Sequence, residues 1–286
     1  MRKQLVNTIE YVLETDKHTV LLLGDIGVWG FRDVFKKFPD RVFNIGICEQ
    51  STVSVMAGMA LTGMIPIFHS IAPFMIERAY EQIKLDFGYQ QLGGNFISVG
   101  SSYDYAADGC THHCPADVAI LSQIPNMEII VPSTPSMFHW SFIQHYDNSN
   151  PTYYRLSSVS DTKCGSVVNK DSQLTILTIG PTYDLAVEAA SDFPVTVLRC
   201  STVKPFDTDL LREFCPSKKL LITEPFYEGT MLPIIRDAFR GEYVYIESMG
   251  IPPVFTDHYG TREELDKYYG FNVDDISFMI QEMINA

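Results

Sequence analysis

The sequence predicts an α/β protein of two domains, each a mostly parallel sheet flanked by helices. Three observations predict it. Short apolar runs bounded by turn residues alternate with helical patterns, the rhythm of a parallel sheet covered on both faces. At 286 residues the chain is long enough for two domains of ordinary size. A polar stretch poor in large apolar side chains, residues 157–173, separates two such rhythms. The expected domains are 1–160 and 174–286, joined by a linker at 161–173 with room for one short strand.

In the first domain, Thr19-Val-Leu-Leu-Leu-Gly24 reads as a buried strand ending in a glycine turn. The apolar run Val42, Phe43, Ile45, Ile47 reads as a second buried strand. Further strands are expected at 64–69, 95–100, 127–131 and 152–156, with helices near 49–63, 74–87, 116–123 and 135–146. The second rhythm places strands at 174–179, 195–199 and 220–223, and helices near 182–191, 206–214 and 229–239. In open parallel sheets, ligands sit beyond the carboxyl ends of the strands. Asp25, Glu49, His69, Ser101 and Arg155 all fall at such ends. Glu49 also opens a Gly/Ala-rich helix. There the helix dipole alone would favour a carboxylate, but apolar walls and small residues also make a seat for a flat heterocycle.

Composition excludes some functions. A net charge of −14 opposes binding to nucleic acid, whose phosphates demand a basic face. No uncharged apolar run approaches the length of a membrane span, and the first residues lack the apolar stretch of a secretory signal. Six scattered cysteines form no regular framework, so reduced thiols in a cytoplasmic protein are expected. Cys110-Thr-His-His-Cys114 invites a zinc reading. Four potential ligands within five residues wrap one tetrahedral ion poorly, so a substrate-facing loop is the better expectation and no metal ligand is assigned.

Five separated segments, in order, resemble the pyrimidine-binding domain of transketolases. They are Phe38–Gln50, Ala57–Gly63, Arg78-Ala-Tyr-Glu-Gln-Ile83, Asp108-Gly-Cys-Thr-His112 and Ile124–Pro132. The resemblance covers about residues 5–156. It continues more weakly through Val203-Lys-Pro-Phe-Asp207, Ile222-Thr-Glu-Pro-Phe226 and Tyr259–Asn272, which are similar to the transketolase C-terminal domain. It is greatest to the C-terminal half of a split, two-subunit transketolase.

The resemblance implies thiamine diphosphate as cofactor. It gives Glu49 the role of the carboxyl that hydrogen-bonds the aminopyrimidine ring and favours its imino tautomer. Ile71, Phe74 and Arg78 fall in the ring-binding segment, Ile26 matches a bulky aliphatic that props the cofactor, and Asp25 stands behind it. Asp108 and His112 match residues that contact the sugar, with His112 suited to proton transfer. His69, Ser101, His113 and Arg155 are further substrate candidates.

Departures from the pattern carry expectations too. The loop Gly100-Ser-Ser-Tyr-Asp-Tyr105 lacks a histidine, and Ser158 stands where an arginine is usual; both missing groups bind the substrate phosphate in the family. The substrate is therefore expected to lack the usual terminal phosphate or to present it elsewhere. A dephospho-sugar, a nucleotide-linked sugar or a 2-oxo acid donor would fit. No Gly-Asp-Gly segment with a following Asn is present, which implies a separate N-terminal, diphosphate-binding subunit that holds Mg²⁺, and an α2β2 assembly active only when both halves are present. The alternatives are the β-subunit of a 2-oxo acid dehydrogenase and a non-catalytic stabilising subunit.

Overall fold

The computed structural model describes residues 1–163 and 165–286. Eleven named strands form two sheets among these residues: β1 Thr19–Leu23, β2 Val42–Asn44, β3 Ile65–Ile71, β4 Gly94–Val99, β5 Glu128–Ile130, β6 Pro151–Arg155, β7 Thr175–Ile179, β8 Thr196–Cys200, β9 Thr202–Lys204, β10 Lys219–Tyr227 and β11 Tyr245–Ile251. The α-helices are α1 Arg2–Thr15, α2 Arg32–Lys37, α3 Glu49–Leu61, α4 Tyr80–Gln82, α5 Asp117–Ser122, α6 Pro135–His145, α7 Tyr183–Ala189, α8 Thr208–Glu213, α9 Leu232–Ile235, α10 Arg262–Tyr268 and α11 Val273–Asn285.

The first sheet has the order β2-β1-β3-β4-β6-β5-β9 and is parallel except for β9. The second has the order β11-β10-β7-β8 and is parallel throughout. β1, β4 and β6 are buried at every position, as a sheet covered on both faces requires. One layer of core joins α1 and α6 to the sheet through Leu5, Ile9, Phe138 and Phe142. The other face meets α3, α5 and the 73–89 helical stretch, where the Phe87 and Phe96 rings cross edge to face at 5.0 Å. This second core runs on into the C-terminal domain without a break, through Leu177, Leu211, Ile222 and Phe226.

Several elements differ from the sequence expectations. The helix expected over 74–87 is broken into two π-helical segments, Pro73–Glu77 and Ile83–Tyr89, around the single turn of α4. Such segments gather at functional sites because they re-aim side chains within a helix. β2 stops at Asn44 and lies on the sheet edge, with Phe43 36% and Ile47 71% exposed, so the run 42–47 is not the buried strand its composition suggests. β10 is nine residues long, not four. β9 leaves the second domain and pairs antiparallel with β5, which ties the chain segment after the linker to the first sheet. α1, α2, α10, α11, β9 and β11 are not among the expected elements. Local chemistry supports them: Thr261 and Glu264 close a capping box on α10, and Asn272 caps α11.

Candidate active site

Glu49 opens α3 and is 1% exposed. Its Oε2 accepts a hydrogen bond from Arg78 Nη1 at 2.7 Å. Its Oε1 is buried and has no partner. Arg78 follows the first π-helical segment, and its guanidinium lies over the Phe74 ring, 4.5 Å from the centroid. Phe74 in turn meets the His112 ring edge to face at 5.3 Å, and His112 lies 6.1 Å from the Tyr105 ring. A continuous row, Glu49–Arg78–Phe74–His112–Tyr105, therefore joins three separate stretches of chain. His112 is half-buried, and its Nδ1 shares a 2.9 Å hydrogen bond with Thr111 Oγ1. Ile71 is nearly buried at the end of β3, and Asp108 is exposed on the same loop as His112.

A cleft of about 480 Å³ opens at the ends of β1 and β3, lined among others by Arg2, Asp25, Ile26, Gly27 and His69, and it meets the row through Arg2, which donates to the Tyr105 hydroxyl. Asp25 is exposed and exchanges hydrogen bonds with Asn44, its backbone N–H donating to Asn44 Oδ1 at 3.0 Å and its Oδ1 accepting from Asn44 Nδ2 at 3.2 Å. His69 is buried, and burial pushes its imidazole down to about 4, against the opposing pull of its hydrogen bond to Ile97. Its neutral Nδ1–H, assigned from that 2.9 Å contact, donates to the Ile97 carbonyl, which leaves Nε2 as an acceptor. Gly27 (φ +83°) lies against this edge: a Cβ there would stand 2.8 Å from His69 Cδ2. A second cleft of about 280 Å³ shares Arg2 and Val99 with the first and adds Gly100, Asp104, Tyr105, Ser157 and Ser158.

Of the substrate candidates only His69 lines either cleft; Asp108 and His112 stand outside both linings on their own loop, and the remaining three are turned into the protein. Arg155 is 1% exposed and its guanidinium is spent inside the protein: Nε donates to Asp117 Oδ2 at 2.8 Å, and Nη2 donates to Ser102 Oγ and to the Pro225 carbonyl at 3.1 Å each. The expectation that it meets a carboxylate or phosphate gives way to a buried tie between the domains. Ser101 is fully buried, with its hydroxyl directed at Asp104. His113 is buried, lines a separate small cavity with Glu77, Tyr227 and Phe255, and leaves its Nε2 unpartnered there. Among the described residues no cluster of three or more His, Cys, Asp or Glu side chains could hold a metal ion. The five described cysteines are free thiols, and Cys164 lies outside the described residues.

The structure adds residues that the sequence does not mark. Arg2 is exposed at the junction of the two clefts and donates to the Tyr105 hydroxyl. Asp104 and Arg262 form an ion pair across the domains. The Arg2 position lies far from any of the matching segments in the first domain, and Arg262 meets Asp104 and Ser157 only through tertiary structure.

The sequence matches the transketolase pyrimidine-binding domain family over residues 1–158 and the transketolase C-terminal domain family over residues 165–276. It is 30% identical to a protein described as an uncharacterized 33.6 kDa protein in the fasciation locus of Rhodococcoides fascians, over 97% of this chain and 92% of that one. It is 27% identical to the B subunit of the apulose-4-phosphate transketolase of Actinobacillus succinogenes, over 84% of each. The fold superimposes on a solved structure described as a split-gene transketolase in an inactive β4 tetramer, with a TM-score of 0.88 and 23% identity over 99% of this chain and 98% of that one. The chain belongs to the transketolase family, of which it carries the pyrimidine-binding and C-terminal domains.

Proposed function

We propose that this chain is the pyrimidine-binding subunit of a split, thiamine-diphosphate-dependent transketolase that transfers a two-carbon ketol unit to an aldehyde or ketone acceptor. The observation that carries the reading is Glu49 Oε1, buried and unpartnered on a carboxyl whose other oxygen Arg78 holds. An unpaired buried acceptor costs roughly 1–3 kcal/mol, and an aminopyrimidine ring offers the missing donor. The residues present fit that group: a carboxylate oxygen free to bond, a half-buried Phe74 ring for stacking, and Ile71 as an apolar floor.

Thiamine diphosphate, when bound, supplies the nucleophilic carbon that makes and breaks bonds next to a carbonyl. This chain orients and protonates. Arg78 fixes Glu49 Oε2, so that Oε1 alone exchanges a proton. Phe74 and Ile71 exclude water. His112, set between Phe74 and Tyr105, moves a proton at a substrate oxygen. His69 accepts at Nε2 in the cleft that Arg2, Ile26 and Asp25 also line, and Asp108 stands exposed on the His112 loop.

The diphosphate and Mg²⁺ belong to a partner subunit in this reading, as an α2β2 complex in the cytoplasm. The Actinobacillus relative is named as one subunit of its enzyme, and the β4 tetramer is described as inactive; both support a requirement for a second chain. Among the described residues no helix is long and apolar enough to cross a membrane. The test is to co-express the chain with a diphosphate-binding transketolase half encoded beside it. Ketol transfer is expected from the pair and from neither chain alone. Reduction of a lipoyl domain in place of ketol transfer would instead assign the chain to a 2-oxo acid dehydrogenase.

A further inference from the structure

Asp104 is bound by an unusually complete set of donors. Its Oδ1 accepts from Ser157 Oγ at 3.0 Å, from Ser158 Oγ at 2.9 Å and from Arg262 Nη1. Its Oδ2 accepts from the Ser158 backbone N–H at 2.8 Å and, more weakly, from Ser101 Oγ at 3.4 Å. The side chain is 3% exposed and that of Arg262 is 12% exposed. Arg262 is itself fixed: Nη1 also donates to Ser157 Oγ at 3.0 Å, Nε faces Asp266 Oδ2 at 3.6 Å, and its guanidinium lies 5.6 Å from the Tyr103 ring centroid.

A guanidinium, a backbone N–H and three hydroxyls converging on one point are the donors that recognise a phosphate or sulfate group. Here they enclose a carboxylate of the chain itself. The cradle borders the 280 Å³ cleft that Ser157, Ser158, Tyr105 and Arg2 line. A ligand entering that cleft meets a cradle whose hydrogen-bonding capacity is already used and whose guanidinium is already paired with a carboxylate. A terminal phosphate there would be denied the cradle's donors and left only the exposed Arg2 as a cation, whereas an uncharged, hydroxylated end has no need of them.

We propose that Asp104 is a resident anion that fills a phosphate-type subsite, and that the Asp104–Arg262 pair thereby selects substrates whose far end is neutral. This deepens the functional reading above and rests on it for the identity of the reaction, though not for the existence of the cradle.

The experiment has a binding arm and a kinetic arm. In thermal denaturation of the full chain with its partner, inorganic phosphate at millimolar concentration should raise the melting temperature of Asp104→Ala by a few degrees. It should do so neither for the native protein nor for the double variant Asp104→Ala/Arg262→Met. In ketol transfer, the native complex should use D-glyceraldehyde in preference to D-glyceraldehyde 3-phosphate. Asp104→Ala should move the ratio of the two kcat/KM values toward the phosphate ester by about tenfold or more. An Asp104→Ala chain that folds, shows no response to phosphate and keeps the native ratio would reduce Asp104 to a structural tie and overturn the proposal. Should that variant fail to fold, the native complex still decides: inorganic phosphate that competes with substrate at low millimolar concentration would show that the subsite is open. A complex inactive with every acceptor, but with the phosphate response intact, would sink the transketolase reading and leave the cradle standing.

Discussion

Arg78 Nη1 binds one oxygen of Glu49 at 2.7 Å and leaves the other buried without a partner. The carboxylate is thus held by one side and available on the other. Glu49→Ala in the assembled enzyme should lower turnover on the order of 10²–10⁴. Glu49→Gln keeps a hydrogen bond but cannot exchange the proton, and should lose nearly as much. Steady-state kinetics with saturating thiamine diphosphate, alongside melting curves, checks both; turnover unchanged in Glu49→Ala would favour a scaffolding subunit.

Arg78 touches Glu49 and Phe74, and in the proposed reading it acts through them as a positioning residue. Its side chain is 39% exposed but the carboxylate that it holds is buried, so its loss strands Glu49 and should lower the melting temperature of the cofactor-free protein by a few degrees. Arg78→Met should raise the thiamine diphosphate concentration needed for half-maximal activity by about tenfold, the worth of one charge-assisted hydrogen bond. Arg78→Lys should recover part of that loss. Cofactor titration of the three proteins reads the effect.

Gly100 has φ +74°, and a Cβ there would stand 2.2 Å from Tyr105 Cε2. Gly100→Ala strains the backbone and forces Tyr105 from its place beside His112. We expect a loss of about 1–3 kcal/mol in urea unfolding together with a raised KM for substrate. A substitution without effect on either would mean that the loop adapts and Tyr105 does not shape the site.

The buried pair Arg155–Asp117 joins β6 to α5, and the same guanidinium reaches the Pro225 carbonyl. Removing one charge strands the other. Arg155→Met should destabilise by about 3–5 kcal/mol, most of it recovered when Asp117→Leu is added. Chemical denaturation of the single and double variants measures the coupling. If Arg155→Met left stability intact and only raised KM for an anionic substrate, Arg155 would belong to the substrate site.

Glu224 is buried in the second domain, accepts from Ser248 Oγ and from the Gly229 and Met231 N–H groups, and is pushed by burial up to about 7. The folded state therefore binds its proton more tightly than the unfolded chain. The resulting stability is complete below the ordinary carboxylate range and is lost as pH rises toward 7. His69, held down near 4, works in the opposite sense, losing its contribution as pH falls. The difference between the native protein and Glu224→Gln isolates the first effect. The native advantage should shrink by a few kcal/mol from pH 4.5 to 7.5, followed by denaturant melts across that range.

The fold was largely legible because buried parallel strands announce themselves as apolar runs, and β1, β3, β4, β6, β7 and β8 fall close to where those runs lie. Glu49, Phe74, Arg78 and His112 were legible through motif order, and the structure brings them into one row. α1 carries a readable spacing in Leu5, Ile9, Val12 and Leu13, but no motif draws attention to it. Arg155 misleads because a strand-end arginine reads the same from sequence whether its guanidinium is free or surrounded by Asp117, Ser102 and Pro225. Asp104–Arg262 was invisible for a simpler reason: 158 residues separate the partners, and nothing local in either segment specifies the other.

β9 has a consequence for how this protein can be divided. The strand comes from beyond the linker yet completes the rim of the N-terminal sheet, where Val131 N–H also donates to the Ser201 carbonyl at 2.7 Å. A fragment cut at residue 160 would uncover the hydrogen-bonding rim of β5 and the apolar wall formed with Leu177, Ile222 and Phe226. Bare strand rims recruit other chains. The pyrimidine-binding region is therefore no portable module here: grafted or expressed by itself it should self-associate, and any swap between relatives must carry the second sheet with it to remain well behaved.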